Sequence, residues 1–202
     1  VQAARVEETP LPPLRPCALP TAHDDDVAEV AKLYCEAARP VLLVGGGVDI
    51  ATVGRLRDRI TALGIPVMTT YNGADRFDGY AAKYLGRPNT WGQRGSNIVI
   101  QKSDLVIAVG TRLGEPTTLG YSLFESPRPR QKLVHVHADA GELGRCYSAD
   151  LMIKAGMPEL AAAAARLPAL PAPRWAAWRE AGDAAYLAYS TPGRMAGPID
   201  LG

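Results

Sequence analysis

Short apolar runs that stop at glycine, each followed by a stretch of helical periodicity, recur along this chain and leave few folds open to it. "VLLVG" leads into "ATVGRLRDRITALG", and "IPVMTT" is followed, after a long glycine-bearing segment, by "GSNIVIQKS". "DLVIAVG", "KLVHVHA" and "LMIKAG" continue the series, with "GELGRC" as a helical turn and "MPELAAAAARL" as a closing helix. Runs that are apolar throughout are strands covered on both faces, which is the condition of a parallel sheet. Alternation with amphipathic helices makes the units right-handed βαβ crossovers. The predicted fold is α/β and Rossmann-like, with three layers.

Before the first strand, "HDDDVAEVAKLYCEAARP" supplies acidic residues at a helix start, apolar Val27, Val30, Leu33 and Tyr34 at helical spacing, and Pro40 beyond the end. These signals predict a helix over roughly Asp25 to Ala38. Residues 1–23 hold a proline cluster, "TPLPPLRPCALP", expected to be an extended linker. After Leu167, "PALPAPRW" breaks the helix, "RWAAWREAGDAAYLAYS" begins another, and "TPGRMAGPIDLG" reads as a second linker. The expected organisation is a linker over 1–23, a central domain over 24–168, and a helix with an exit linker over 169–202. A first residue of Val rather than Met suggests a piece of something longer.

The chain of 202 residues has a formal net charge of +1, which points to neither nucleic acid nor an anionic membrane. "RPRQK", Arg128 to Lys132, is expected to be a solvated loop. Cys17, Cys35 and Cys146 lie far apart, so neither a disulfide framework nor a thiolate metal site is suggested, and a cytoplasmic setting is expected. No apolar stretch approaches the length of a bilayer span.

Gly45, Gly46 and Gly47 end the first strand, where backbone N–H groups at a helix start can hold phosphate. The dinucleotide fingerprint needs a third glycine where Ile50 stands, and the acid expected after the second strand is replaced by Thr69 and Thr70. A P-loop fails because no Lys-Ser or Lys-Thr follows the glycines. Gly110, Thr111 and Arg112 end another strand at the same edge, and the Arg112 fork suits a diphosphate. A helix cap or a pair with Glu115 would account for Arg112 equally well. "HVHAD" puts His135 and His137 on one strand face, with Asp139 beyond, but too few nitrogen ligands accompany them for a metal site. No nucleophile elbow, activated cysteine or paired acid and base is present, so no catalytic residue is assigned.

In order, "RPVLLVGGGV", "LGIPVMTTYNGADRFD", "LGRPNTWGQRGSN", "QKSDLVIAVGTRLGE", "KLVHVHADAGELGR" and "MPELAAAAARL" resemble the central domain of thiamine-diphosphate-dependent enzymes of the acetolactate synthase and benzoylformate decarboxylase group. The resemblance covers about Asp25 to Leu167. It implies a DHS-like NAD/FAD-binding fold with a six-stranded parallel sheet that in some members holds FAD or ADP. Positions carried over to a nucleotide are Gly46, Gly47, Thr69, Thr70, Gly92, Gln93, Gly110, Thr111, Arg112, His137, Ala138 and Asp139. The strand that commonly reads "HIDID" is "HVHAD" here, so the natural ribose partner is His137 instead of an acid, and the late "GD" has become Ala155-Gly156. By the same resemblance, thiamine diphosphate and magnesium belong to flanking domains, the parent is a homodimer or homotetramer acting on a 2-oxo acid, and this domain is inactive alone. The alternative is a stand-alone nucleotide-binding module of the sirtuin or transhydrogenase type.

Overall fold

A computed structural model describes residues 19–78, 84–168 and 174–190. Residues 1–18 of the linker predicted over 1–23, the second predicted linker over 191–202, and residues 169–173 of the predicted helix breaker lie outside the described residues. The elements are α1 (Asp24–Glu36), β1 (Pro40–Val44), α2 (Ile50–Leu63), β2 (Val67–Thr69), α3 (Arg94–Lys102), β3 (Leu105–Val109), β4 (Lys132–His137), β5 (Leu151–Lys154), α4 (Met157–Ala164) and α5 (Ala176–Ser190). Short 3₁₀ turns cover Tyr71–Arg76 and Ala140–Glu142.

All strand pairs are parallel, in the order β2-β1-β3-β4-β5. The sheet therefore has five strands among the described residues, where the family resemblance implied six. The place of a sixth is taken by Tyr84–Gly86, which runs beside β2 but forms a single bridge, Val67 with Tyr84. Leu85 N–H donates to the Val67 carbonyl at 2.7 Å, and Thr69 N–H to that of Gly86 at 3.1 Å. Extension stops there because Gly86 turns to φ +77° and Pro88, with no N–H to give, follows two residues later.

Alternation along the strands sorts the core into two layers. Leu42, Val44, Ile107, Val109, Val134 and Val136 face α1, α2 and α4. Leu43, Met68, Val106, Ala108 and Leu133 face α3, α5 and the loop carrying Leu123 and Phe124. Helices thus close both faces, as continuous apolar strands require.

The first helix ends at Glu36 rather than Ala38. Ala37 is already extended at ψ 138°, and the N–H groups of Ala38 and Arg39 donate to the Asp104 carboxylate at 2.9 and 2.8 Å. Pro40 disfavours helical geometry in the residue before it, so the chain straightens into β1. The tryptophan-bearing helix is held to the body of the fold: α5 packs along α3, with Gly95 against the Ala185 backbone. Trp175 and Trp178 donate their indole N–H groups to the carbonyls of Ala37 and Pro40.

Candidate functional site

The strand order reverses between β1 and β3, so the crevice beyond their carboxyl ends is where an open parallel sheet receives ligands. In this chain the two strand ends close against each other there. Gly45 N–H donates to the Val109 carbonyl at 2.8 Å, and Gly47 N–H to the Gly110 carbonyl at 2.9 Å. A Cβ on Gly45 would lie 2.1 Å from the Gly110 carbonyl oxygen, and Gly110 itself has φ +60°. The glycines permit this backbone crossing, and two of their N–H donors are consumed by it.

The N-terminus of α2 carries its own anion. Asp49 caps the helix, its carboxylate accepting from Thr52 N–H at 2.8 Å and from the Thr52 hydroxyl at 2.5 Å. These bonds hold the Asp49 carboxyl below the usual carboxylate range. A carboxylate here satisfies the helix end much as a phosphate would. Arg76 braces the same turn, reaching the carbonyls of Val48 at 2.5 Å and Gly46 at 3.3 Å. Both residues escaped the sequence reading of the site. An Asp just before an apolar helical run was a readable cap signal, whereas nothing local marked Arg76.

At the ends of β3 and β4, Thr111 is buried and its carbonyl accepts from His135 Nε2 at 2.8 Å. His135 is 2% exposed, and burial lowers its pKa. Arg112 is exposed and pairs with neither a helix end nor Glu115: its guanidinium lies 3.4 Å from the Glu142 carboxylate, which Arg145 also contacts at 2.9 Å. His137 Nδ1 accepts from Asp139 N–H at 3.1 Å, and the Asp139 carboxylate accepts from Gly141 N–H at 2.9 Å. Ala138 is half-buried between them. His135 and His137 do share a face, with ring centroids 6.3 Å apart. Among the described residues, no group of His, Cys, Asp or Glu is placed to hold a metal ion.

Four further positions carried over from the family are tied to their own neighbours. Thr69 is fully buried and shares a 2.9 Å hydrogen bond with the Tyr84 hydroxyl, while Thr70 N–H donates to the Val44 carbonyl at 2.9 Å. Gln93 Oε1 accepts from Arg87 N–H at 2.8 Å, and a Cβ on Gly92 would lie 2.0 Å from the Arg87 carbonyl oxygen. The fold brings Gly46, Gly47, Thr70, Gly110, Thr111, Arg112 and the 137–139 turn to one sheet edge. Gly92 and Gln93 instead stabilise the loop before α3.

The fold and this edge define a Rossmann-like α/β domain with a parallel sheet. The family described as thiamine pyrophosphate enzyme, central domain, matches residues 27–164, and the chain belongs to it. Over 144 residues it is 35% identical to an acetolactate synthase of Mycobacterium avium, covering 71% of this chain and 22% of that protein. It is 33% identical, with the same coverage, to an acetolactate synthase large subunit of Corynebacterium glutamicum. With acetolactate synthase isozyme 2 large subunit of Escherichia coli it shares 29% identity over 149 residues, 73% of this chain and 26% of that one. The chain thus spans about a quarter or less of the length of these curated relatives. Among the described residues, no helix is long and apolar enough to cross a membrane.

Proposed function

We propose that this chain is the non-catalytic middle domain of a thiamine-diphosphate-dependent enzyme that decarboxylates or ligates a 2-oxo acid. Its work is to join the flanking catalytic domains of the same chain and to contribute to the contacts of a homodimer or homotetramer. Thiamine diphosphate, held with magnesium by those domains, supplies the electron sink for carbanion chemistry. The role of this chain is geometric.

The observation that carries this reading is the self-satisfaction of the ligand edge. Asp49 occupies the α2 N-terminus, Glu142 holds Arg112 and Arg145, and the N–H groups of Gly45 and Gly47 are spent on β3. His137 stands where a ribose would need an acid. The residues present fit the diphosphate and ribose of FAD or ADP poorly, since the helix end and the N–H groups of Gly45 and Gly47 would give up internal hydrogen bonds to hold a phosphate.

A second reading, retention of FAD or ADP at this edge, is favoured by the exposure of the Arg112 guanidinium beside the switch point. Calorimetry of the purified chain with FAD, ADP and NAD in turn separates the two. The scaffold reading expects no binding heat. Micromolar binding of FAD or ADP that weakens in Arg112→Ala would replace it with the nucleotide-holding one.

A further inference from the structure

The two faces of the sheet are not packed alike. Leu43 and Val106, on the α3 and α5 side, are 0% exposed. Their neighbours on the other side, Leu42 and Ile107, sit on the same middle strands, yet Leu42 is only half-buried and Ile107 keeps 7% exposure. That residual surface faces a cavity of about 90 Å³ between the sheet and the layer of α1, α2 and α4. Leu42 and Ile107 form part of its floor, and Val30, Leu56, Ile60 and Ala163 part of its roof. Its origin is legible in "ELAAAAARL": α4 turns short alanine side chains inward where a longer one would reach the sheet.

Among the described residues, every one around this space is Ala, Val, Leu, Ile or Phe, and no polar atom of theirs faces it. Water needs two to four polar partners to settle in a cavity and finds none here. A charged or hydrogen-bonding ligand would be stripped of its hydration without replacement. We propose that this cavity is a binding site for small, uncharged, apolar molecules, from a xenon atom up to a short hydrocarbon. An apolar cavity of about 150 Å³ takes benzene or xenon, so one of this smaller size favours the lower end of that range. The site is separate from the polar sheet edge, but Val44 and Val48 line it and flank Gly45–Gly47, so occupancy will register at that turn.

The test is xenon binding to the purified chain, followed by the ¹²⁹Xe shift and by amide shifts under xenon pressure. The expected result is a saturable xenon shift, with amide changes centred on Val44, Val48, Ile107 and Val109. Ala163→Leu, which fills the space, should abolish both responses and raise the melting temperature. Leu56→Ala, which enlarges it, should strengthen xenon binding severalfold. Absence of saturable xenon binding in the unmodified chain, or amide changes centred elsewhere, overturns the proposal. A folded Ala163→Leu variant with an unchanged xenon response does the same.

Discussion

The Trp175 indole N–H donates to the Ala37 carbonyl at 2.9 Å, across a sequence separation of 138 residues. The ring also packs edge-on against Tyr34, with centroids 4.8 Å apart. This contact ties the start of α5 to the end of α1, and Trp175 itself lies beyond the residues 27–164 matched by the family. Trp175→Ala removes a buried aromatic and orphans a carbonyl, and should lower stability by about 3–5 kcal/mol in urea unfolding. Trp175→Phe, which keeps a ring but not the donor, should lose only about 1 kcal/mol. Cutting the chain after Leu167 should lower the melting temperature at least as far as the alanine variant. Unchanged melting after truncation would make α5 a tether without structural weight.

The crossing of β1 and β3 and the open flank of α2 predict opposite outcomes for two glycines nine residues apart. A Cβ on Gly45 meets the Gly110 carbonyl oxygen at 2.1 Å, and neither backbone can retreat without breaking strand pairing. Gly45→Ala should therefore destabilise by about 3 kcal/mol, as overpacking against a rigid neighbour does. Gly54 lies inside α2 with nothing within 4 Å of the added carbon. Gly54→Ala should stabilise by about 0.5–1 kcal/mol through helix propensity. Parallel chemical denaturation of the two variants checks both signs.

The fold was largely legible because its signals are local and repeated. Apolar strands ended by Gly45 and Gly110, and helical spacing through Val53, Leu56 and Ile60, each carry their own period, and the structure places all of them as expected. That the described residues form five strands and not six was not legible, since it turns on how Gly86 and Pro88 end an extended run rather than on hydrophobicity. Site residues were legible as positions but not as partners. Arg112 was marked by its place after a strand, yet its companion Glu142 comes from another βα loop, which only the register of β3 with β4 brings near. No spacing rule within one segment reports such a pair.

The Arg112 and Glu142 pair yields a prediction that separates stability from affinity. The Arg112 side chain is 73% exposed, so solvent screens the pair and its contribution to folding is below about 1 kcal/mol. Glu142→Gln should leave urea unfolding nearly unchanged. It also frees two guanidinium groups at the sheet edge, so salt-sensitive binding of ADP should emerge or strengthen in calorimetry. Equal ADP responses in the two proteins would mean that Glu142 does not guard this edge.

His135 makes the stability of the fold depend on pH in a defined window. Its ring is buried, with Nε2 on the Thr111 carbonyl, and burial lowers its pKa from the ordinary 6.5. Nearby His137 lowers it further, while the Thr111 bond and Glu142 act in the opposite direction. Below pH 6.5 the unfolded chain takes up a proton at this residue that the folded chain resists. Stability must then fall as the pH drops below that value, until the folded form is protonated as well. Above it this residue adds no slope. Asp49 and Asp150 act later, because their folded carboxyls lie below the ordinary 3.8 and the stability they confer is lost only as the pH falls through that lower range. Urea unfolding at a series of values between about pH 7.5 and about pH 2 should show two separate declines, neither steeper than about 1.4 kcal/mol per pH unit per proton. In His135→Gln, which keeps a donor near Thr111 without a titrating ring, the first decline should flatten and the second remain. Parallel curves for the two proteins through the first window would assign that slope to other groups.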